Sequence, residues 1–141
     1  MLKEIIFVTN NLHKKAEIEA ILKNKIQVKS LKDINCTEEI PETGSTLEEN
    51  ALQKARYIYK RYQKNCFADD TGLEVEALNN APGVHSARYA GEENDAEKNM
   101  QALLQNMQNI SQRKAVFKTV IALIIDGKEF LFEGKVEGEI L

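Results

Sequence analysis

The first apolar run of the chain, Ile5-Ile6-Phe7-Val8, is short, continuous and rich in β-branched residues, the pattern of a buried strand. It stops at Thr9-Asn10-Asn11, and beyond that point Ile18, Ile21 and Leu22 recur at helical spacing. Strand, tight turn and helix in that order make the opening unit of an α/β fold. A second helix is signalled by Thr46 and Glu49, which have the spacing of a capping box, ahead of Leu47, Ala51, Ala55, Ile58 and Tyr62 on one face. Cys66-Phe67-Ala68 reads as a short buried strand broken by Asp69-Asp70-Thr71-Gly72. Leu73, Val75 and Ala77 then alternate with Glu74 and Glu76, as in a strand with one wet face.

Residues 95 to 107 have a helical pattern with Met100, Leu103, Leu104 and Met107 turned inward. Ala115 to Ile125 is a long apolar, β-branched run, Asp126-Gly127 is a hairpin turn, and Glu129 to Val136 returns as the partner strand. Helices combined with a hairpin predict an α/β fold built on a mixed sheet flanked by helices. No repeat, low-complexity tract or linker interrupts the pattern, so one domain over residues 1–141 is expected.

Composition narrows the class. A chain of 141 residues buries about two-thirds of the surface its unfolded form exposes. Its 43% hydrophobic and 29% charged residues are an ordinary globular balance. With a net charge of -3, no field of the whole molecule draws it to nucleic acid or to an anionic membrane. A polyphosphate site would therefore rest on a few placed lysines. No apolar run has the length of a signal peptide or a membrane span, so a cytoplasmic location is expected. Cys36 and Cys66 are too few for a disulfide framework and lack zinc spacing, and are expected to be buried thiols in a reducing compartment.

Four segments carry candidate chemistry. Thr9, Asn11 and Lys14 lie between a strand end and a helix N-terminus, where free backbone N–H groups and the helix dipole favour an anion. Lys14 opposes that dipole by about a few tenths of a kcal/mol unless an anion reverses the sign; the plain alternative is an Asn cap followed by a solvated lysine. Pro41-Glu42-Thr43-Gly44 precedes a helix on which Asn50 and Lys54 share an edge, beside the apolar stripe of Ala51 and Ala55. A lysine at that rim either snorkels or meets an anion. Asp69 and Asp70 repel each other unless a cation or a hydrogen-bond network compensates, and Mg²⁺ held by one or two carboxylates and substrate phosphates would do so. An exposed acidic turn is the alternative. Ala81 to Gly91 holds Arg88, suited to a bidentate phosphate contact, and His85, a lone histidine without a paired nucleophile that is left unassigned.

The order Thr-x-Asn-x-x-Lys, Glu-Thr-Gly, Glu-Asn-Ala-x-x-Lys-Ala, Ala-Asp-Asp-Thr-Gly-Leu-Glu-Val and Ala-Pro-Gly-Val-x-Ser-Ala-Arg-Tyr-Ala-Gly resembles the inosine triphosphate pyrophosphatases, the Ham1-like non-canonical purine NTP pyrophosphatases. The resemblance runs from residue 5 to the end. It implies the fold shared by Maf and Ham1 proteins and hydrolysis of ITP, dITP or XTP to the monophosphate and pyrophosphate. Thr9, Asn11, Lys14 and Lys54 would bind the triphosphate, Thr71 would contact substrate, and Arg88 would lie near the phosphates or support them. Glu42 and Asp70 would hold Mg²⁺ with Asp69 close by, and Asp70 would also accept the proton of the attacking water. A homodimer is implied, with no nucleic-acid or membrane partner.

The resemblance also implies later segments containing Phe-Gly-Tyr-Asp-Pro and Ser-His-Arg, which grip the purine; neither occurs in these 141 residues. The fold is accordingly expected to be incomplete at its C-terminus, with Val120, Ile124 and Phe132 exposed. A nucleotide- or metal-binding fragment without catalysis is the alternative reading. A related house-cleaning enzyme with another base preference, and a purely structural α/β domain, are further ones.

Overall fold

The computed structural model describes residues 2–88, 91 and 95–141, with the side chains of 87 and 88 outside the description. The chain forms two compact units: Met1–Gly44, Glu48–Asp69 and Ile121–Phe132 make the first, and Ser45–Leu47, Asp70–Val120 and Glu133–Leu141 the second.

In the first unit, β1 (Glu4–Phe7) pairs in parallel with β2 (Gln27–Lys29) on one side and with the start of β3 (Cys66–Val75) on the other. Register places Phe7 opposite Phe67, and the two rings stack with centroids 4.4 Å apart. Between β1 and β2 runs α1 (Leu12–Leu22), whose Ile18 and Leu22 pack on the core formed by Ile5, Phe7, Val28 and Phe67. Ile21 points away and is 72% exposed, so its helical spacing is not core spacing. The second helix, α2 (Leu47–Tyr62), begins directly after Thr46, and Leu47, Ala51, Ala55 and Ile58 are buried as the stripe predicts.

The largest departure concerns β3. Asp69-Asp70-Thr71-Gly72 does not interrupt it; one strand of ten residues runs from Cys66 to Val75. Local composition argues for a turn, but ladder partners on both halves hold the backbone extended. Ile6 and Phe7 pair with the first half, and β4 (Ala81–Pro82) pairs antiparallel with Glu74 and Val75. Ala77 falls beyond the strand, in a single 3-10 turn over Glu76–Leu78.

The second unit has its own core of Val75, Leu103, Met107 and Ala115. Its helix α3 (Ala96–Asn106) is capped by Asp95, which accepts from the amides of Glu97 and Lys98. Leu103 and Met107 are buried, whereas Met100 and Leu104 are 59% and 43% exposed. The strands β5 (Lys114–Ile125) and β6 (Lys128–Glu139) contribute to both units, joined by a turn in which Asp126 and Gly127 both have positive φ. The sheet order is β2-β1-β3-β5-β6, with β4 off this path, and parallel and antiparallel pairs together make it mixed. Val120 and Ile124 are buried, against expectation, and alternate along β5 so as to share one face with the buried Ala122; Phe132 on β6 is 54% exposed.

Candidate functional site

The β1–α1 turn is organised by its own side chains. Thr9 Oγ1 accepts from the Asn11 amide at 3.0 Å, and Asn11 Oδ1 accepts from the amides of His13 and Lys14 at 3.0 and 3.1 Å. Asn11 is thus the N-cap of α1 and takes up two of the donors that a helix start leaves open. The first turn of α1 has no acidic residue of its own. The anion that Lys14 needs there comes from β3: Lys14 Nζ donates to Asp69 Oδ2 at 2.9 Å. The lysine is not merely solvated.

Lys54, on α2, also meets an anion. Its ammonium lies 2.8 Å from Glu42 Oε1 and donates to the Asp69 carbonyl at 2.5 Å, with only 13% of the side chain exposed. Asp69 is therefore the common partner, giving its carboxylate to one lysine and its carbonyl to the other. Lys14, Glu42, Lys54 and Asp69 gather in the first unit as two cations and two carboxylates, in formal balance. Glu42 and Lys14 keep 43% and 42% of their side chains exposed, so this cluster is open to solvent.

Glu42 is held in place by what surrounds it. The Gly44 amide donates to Asn50 Oδ1 at 2.7 Å, and Asn50 is buried. A Cβ at Gly44 would stand 2.6 Å from Glu49 Cβ and 2.9 Å from Asn50 Oδ1, so the Glu-Thr-Gly turn closes on α2 only with glycine there.

The other expected site residues belong to the second unit. Asp70 is half-buried with Oδ2 out of contact with solvent. Thr71 is exposed, its Oγ1 2.9 Å from Thr119 Oγ1. Gly72 is buried, and a Cβ on it would come within 2.4 Å of the Gly83 carbonyl oxygen. Ser86 Oγ accepts from the Leu73 amide at 2.8 Å and donates to the Gly83 carbonyl at 2.6 Å, tying the segment after β4 to β3. The backbone of Arg88 ends a 3-10 helix over Gly83–Arg88, but its side chain lies outside the described residues. His85 is exposed on that same helix.

The tie through Ser86 and the contacts of Thr43 and Gly44 with α2 were not read as site features from sequence. Isolated polar residues leave no periodic signal. Both cysteines are free and buried, as expected. Burial pushes the Cys66 thiol up to about 12.

Likeness to known proteins decides the family. The sequence model of the Ham1 family matches residues 5–141. The chain belongs to the Ham1 family. It is 55% identical over 140 residues to the dITP/XTP pyrophosphatase of Porphyromonas gingivalis, covering 99% of this chain and 72% of that relative. It is 44% identical over 144 residues to the dITP/XTP pyrophosphatase of Bacillus subtilis, covering 99% and 73%. Among solved structures, the Ham1 protein of Staphylococcus aureus superposes with a TM-score of 0.91 at 40% identity, covering 99% of this chain and 72% of that one. A HAM1 protein from Coxiella burnetii gives 0.91 at 38% identity, with coverages of 99% and 73%. The mixed α/β fold is that of these Ham1 proteins. No helix among the described residues is long and apolar enough to cross a membrane.

Proposed function

We propose that the chain hydrolyses non-canonical purine nucleoside triphosphates (ITP, dITP and XTP) to the monophosphate and pyrophosphate, and so clears them from the nucleotide pool. The observation that carries this reading is the convergence of Lys14 and Lys54 on Asp69, in a chain whose relatives bear the name dITP/XTP pyrophosphatase. Two ammonium groups fixed at the start of a helix and the rim of another are what a polyphosphate needs from a protein of net charge -3. An arriving triphosphate competes with Asp69 and Glu42 for them. Asn11 already occupies the amides of His13 and Lys14, and the Lys14 ammonium offers a contact there.

The donors beside these lysines are carboxylate oxygens, which suit a hard divalent cation. Mg²⁺ takes one or two carboxylates from a protein and completes its shell with water and phosphate. Glu42 and Asp70 are the residues that would hold it, with Asp69 close by, and when bound Mg²⁺ supplies neutralisation of phosphate charge. Asp70 orients the attacking water and accepts its proton as the oxygen bonds to the α-phosphorus. The bond to the β-phosphate oxygen breaks in line, and Lys14 and Lys54 stabilise the departing pyrophosphate. Thr71 and Arg88 contribute substrate contacts. We take the enzyme to work in the cytoplasm as a homodimer, the latter checked by light scattering on the eluted protein.

The deciding experiment is pyrophosphate release from ITP, XTP and ATP side by side, with and without Mg²⁺. Selective, Mg²⁺-dependent release from ITP and XTP is expected. A folded chain that binds these nucleotides but releases nothing would instead support a binding protein without catalysis.

A further inference from the structure

One face of α2 ties down the segment that carries Glu42. Asn50 Oδ1 accepts from the Gly44 amide at 2.7 Å. Gln53 Oε1 accepts from the Thr43 amide at 2.8 Å, and its Nε2 donates to Thr43 Oγ1 at 2.9 Å. Lys54 pairs with Glu42, while Tyr57 donates to Glu38 Oε2 and Arg61 donates to Glu38 Oε1 at 2.8 Å. The helix positions used are 50, 53, 54, 57 and 61, spaced so that they share one stripe beside the buried one. Partner numbers fall, from Gly44 through Thr43 and Glu42 to Glu38, as helix numbers rise. The segment therefore runs antiparallel along α2, fastened at each step by a polar side chain.

We infer that this polar zipper positions Glu42, and that Gln53 is its central positioning residue, fixing the backbone next to Glu42 so that the carboxylate is presented to a divalent cation. Gln53 makes two bonds to Thr43, satisfying both an amide donor and a hydroxyl with a single planar group. Without it, Thr43 is exposed and holds no helix contact among those just described, and the backbone beside Glu42 is left to the tie at Gly44 and to the Glu42 side chain's own pairing with Lys54. The inference rests on the reading of Glu42 as a ligand for Mg²⁺. Partners that orient a metal ligand in this manner typically contribute about 10- to 100-fold in metal affinity.

The test is Gln53→Ala, compared with Gln53→Glu, which keeps an acceptor for the Thr43 amide and can accept from the Thr43 hydroxyl. Amide hydrogen exchange without nucleotide or Mg²⁺ reads the zipper directly. In Gln53→Ala the Thr43 amide should lose protection while Gly44, held by Asn50, retains it. The Mg²⁺ concentration giving half-maximal pyrophosphate release should rise about tenfold or more, with kcat at saturating Mg²⁺ little changed, and Gln53→Glu should restore most of the difference. Should Gln53→Ala fail to fold, Thr43→Val removes one of the two bonds at an exposed position and should give a smaller shift of the same sign. Unchanged Thr43 protection, or lost protection with an unchanged Mg²⁺ requirement, overturns the proposal. No pyrophosphate release from the wild-type chain would overturn the functional reading and the link to the cation, while the exchange data decide separately whether the zipper exists.

Discussion

Lys54→Met keeps most of the aliphatic stem of the side chain and deletes the charge that joins Glu42 to Asp69. At rest the ammonium makes a 2.8 Å ion pair and a 2.5 Å hydrogen bond to a carbonyl. Glu42 is 43% exposed, so water replaces much of what it loses, and the pair contributes at most about 1 kcal/mol to folding. Substrate is affected more. A hydrogen bond to a charged group is worth about 1.5–3 kcal/mol, and each 1.4 kcal/mol is about tenfold. The expected loss in kcat/KM is therefore about 10- to 150-fold, toward the lower end because the resting ammonium must leave Glu42 to engage phosphate. Pyrophosphate release from ITP under first-order conditions measures the loss, and urea unfolding of the same preparation measures stability. A change of less than about threefold in kcat/KM, with the fold intact, would refute the role given to Lys54. A loss of more than about 3 kcal/mol in stability would show that the lysine serves the fold instead.

Other outcomes follow from the same geometry. Asp70→Asn should lower turnover by at least about a hundredfold with little change in unfolding midpoint, and a near-normal rate would remove it as the proton acceptor. Gly72→Ala should destabilise by about 1–3 kcal/mol or more, because its Cβ would meet the Gly83 carbonyl oxygen at 2.4 Å; a wild-type melting temperature would contradict the close approach. Glu129 accepts from Arg56 at 2.6 and 2.8 Å, and that guanidinium holds its carboxyl below the usual value of 4.5. A lowered folded value stabilises above the unfolded one and is lost as pH falls through the folded one. Glu129→Gln should thus cost less than about 1 kcal/mol at pH 7, and its difference from wild type should close below about pH 4.5; a gap that widens in acid would count against the pair.

What could be read from the sequence divides along physical lines. The stripe of α2, the cap at Asn11 and the turn at Asp126-Gly127 were legible because each is set by neighbours in the chain. The continuity of β3 was not, since an Asp-Asp-Thr-Gly run has local turn chemistry and only pairing with distant segments keeps it extended. Ile21, Met100 and Leu104 show that helical spacing marks a face without saying how wide the covered part is. The Glu-Thr-Gly, Asn-x-x-x-Lys and Asp-Asp residues were identifiable, and four of the named side chains (Lys14, Glu42, Lys54 and Asp69) do meet. That Asp69 serves both lysines was hidden, because one of those contacts is made by its backbone. Gln53 gave no signal at all: a half-buried glutamine on a helix looks the same in sequence with or without a partner.

The two thiols have a practical consequence. Cys36 and Cys66 are both buried, both in the first unit, and Cys66 donates to the Ala55 carbonyl at 3.3 Å. At a thiol value of about 12, thiolate is scarce at neutral pH, so a disulfide reagent in the solvent reaches Cys66 only when the first unit opens. The unmodified chain thus carries its own clock for that event. Labelling rate reports how often the unit bearing Lys14, Glu42, Lys54 and Asp69 breathes.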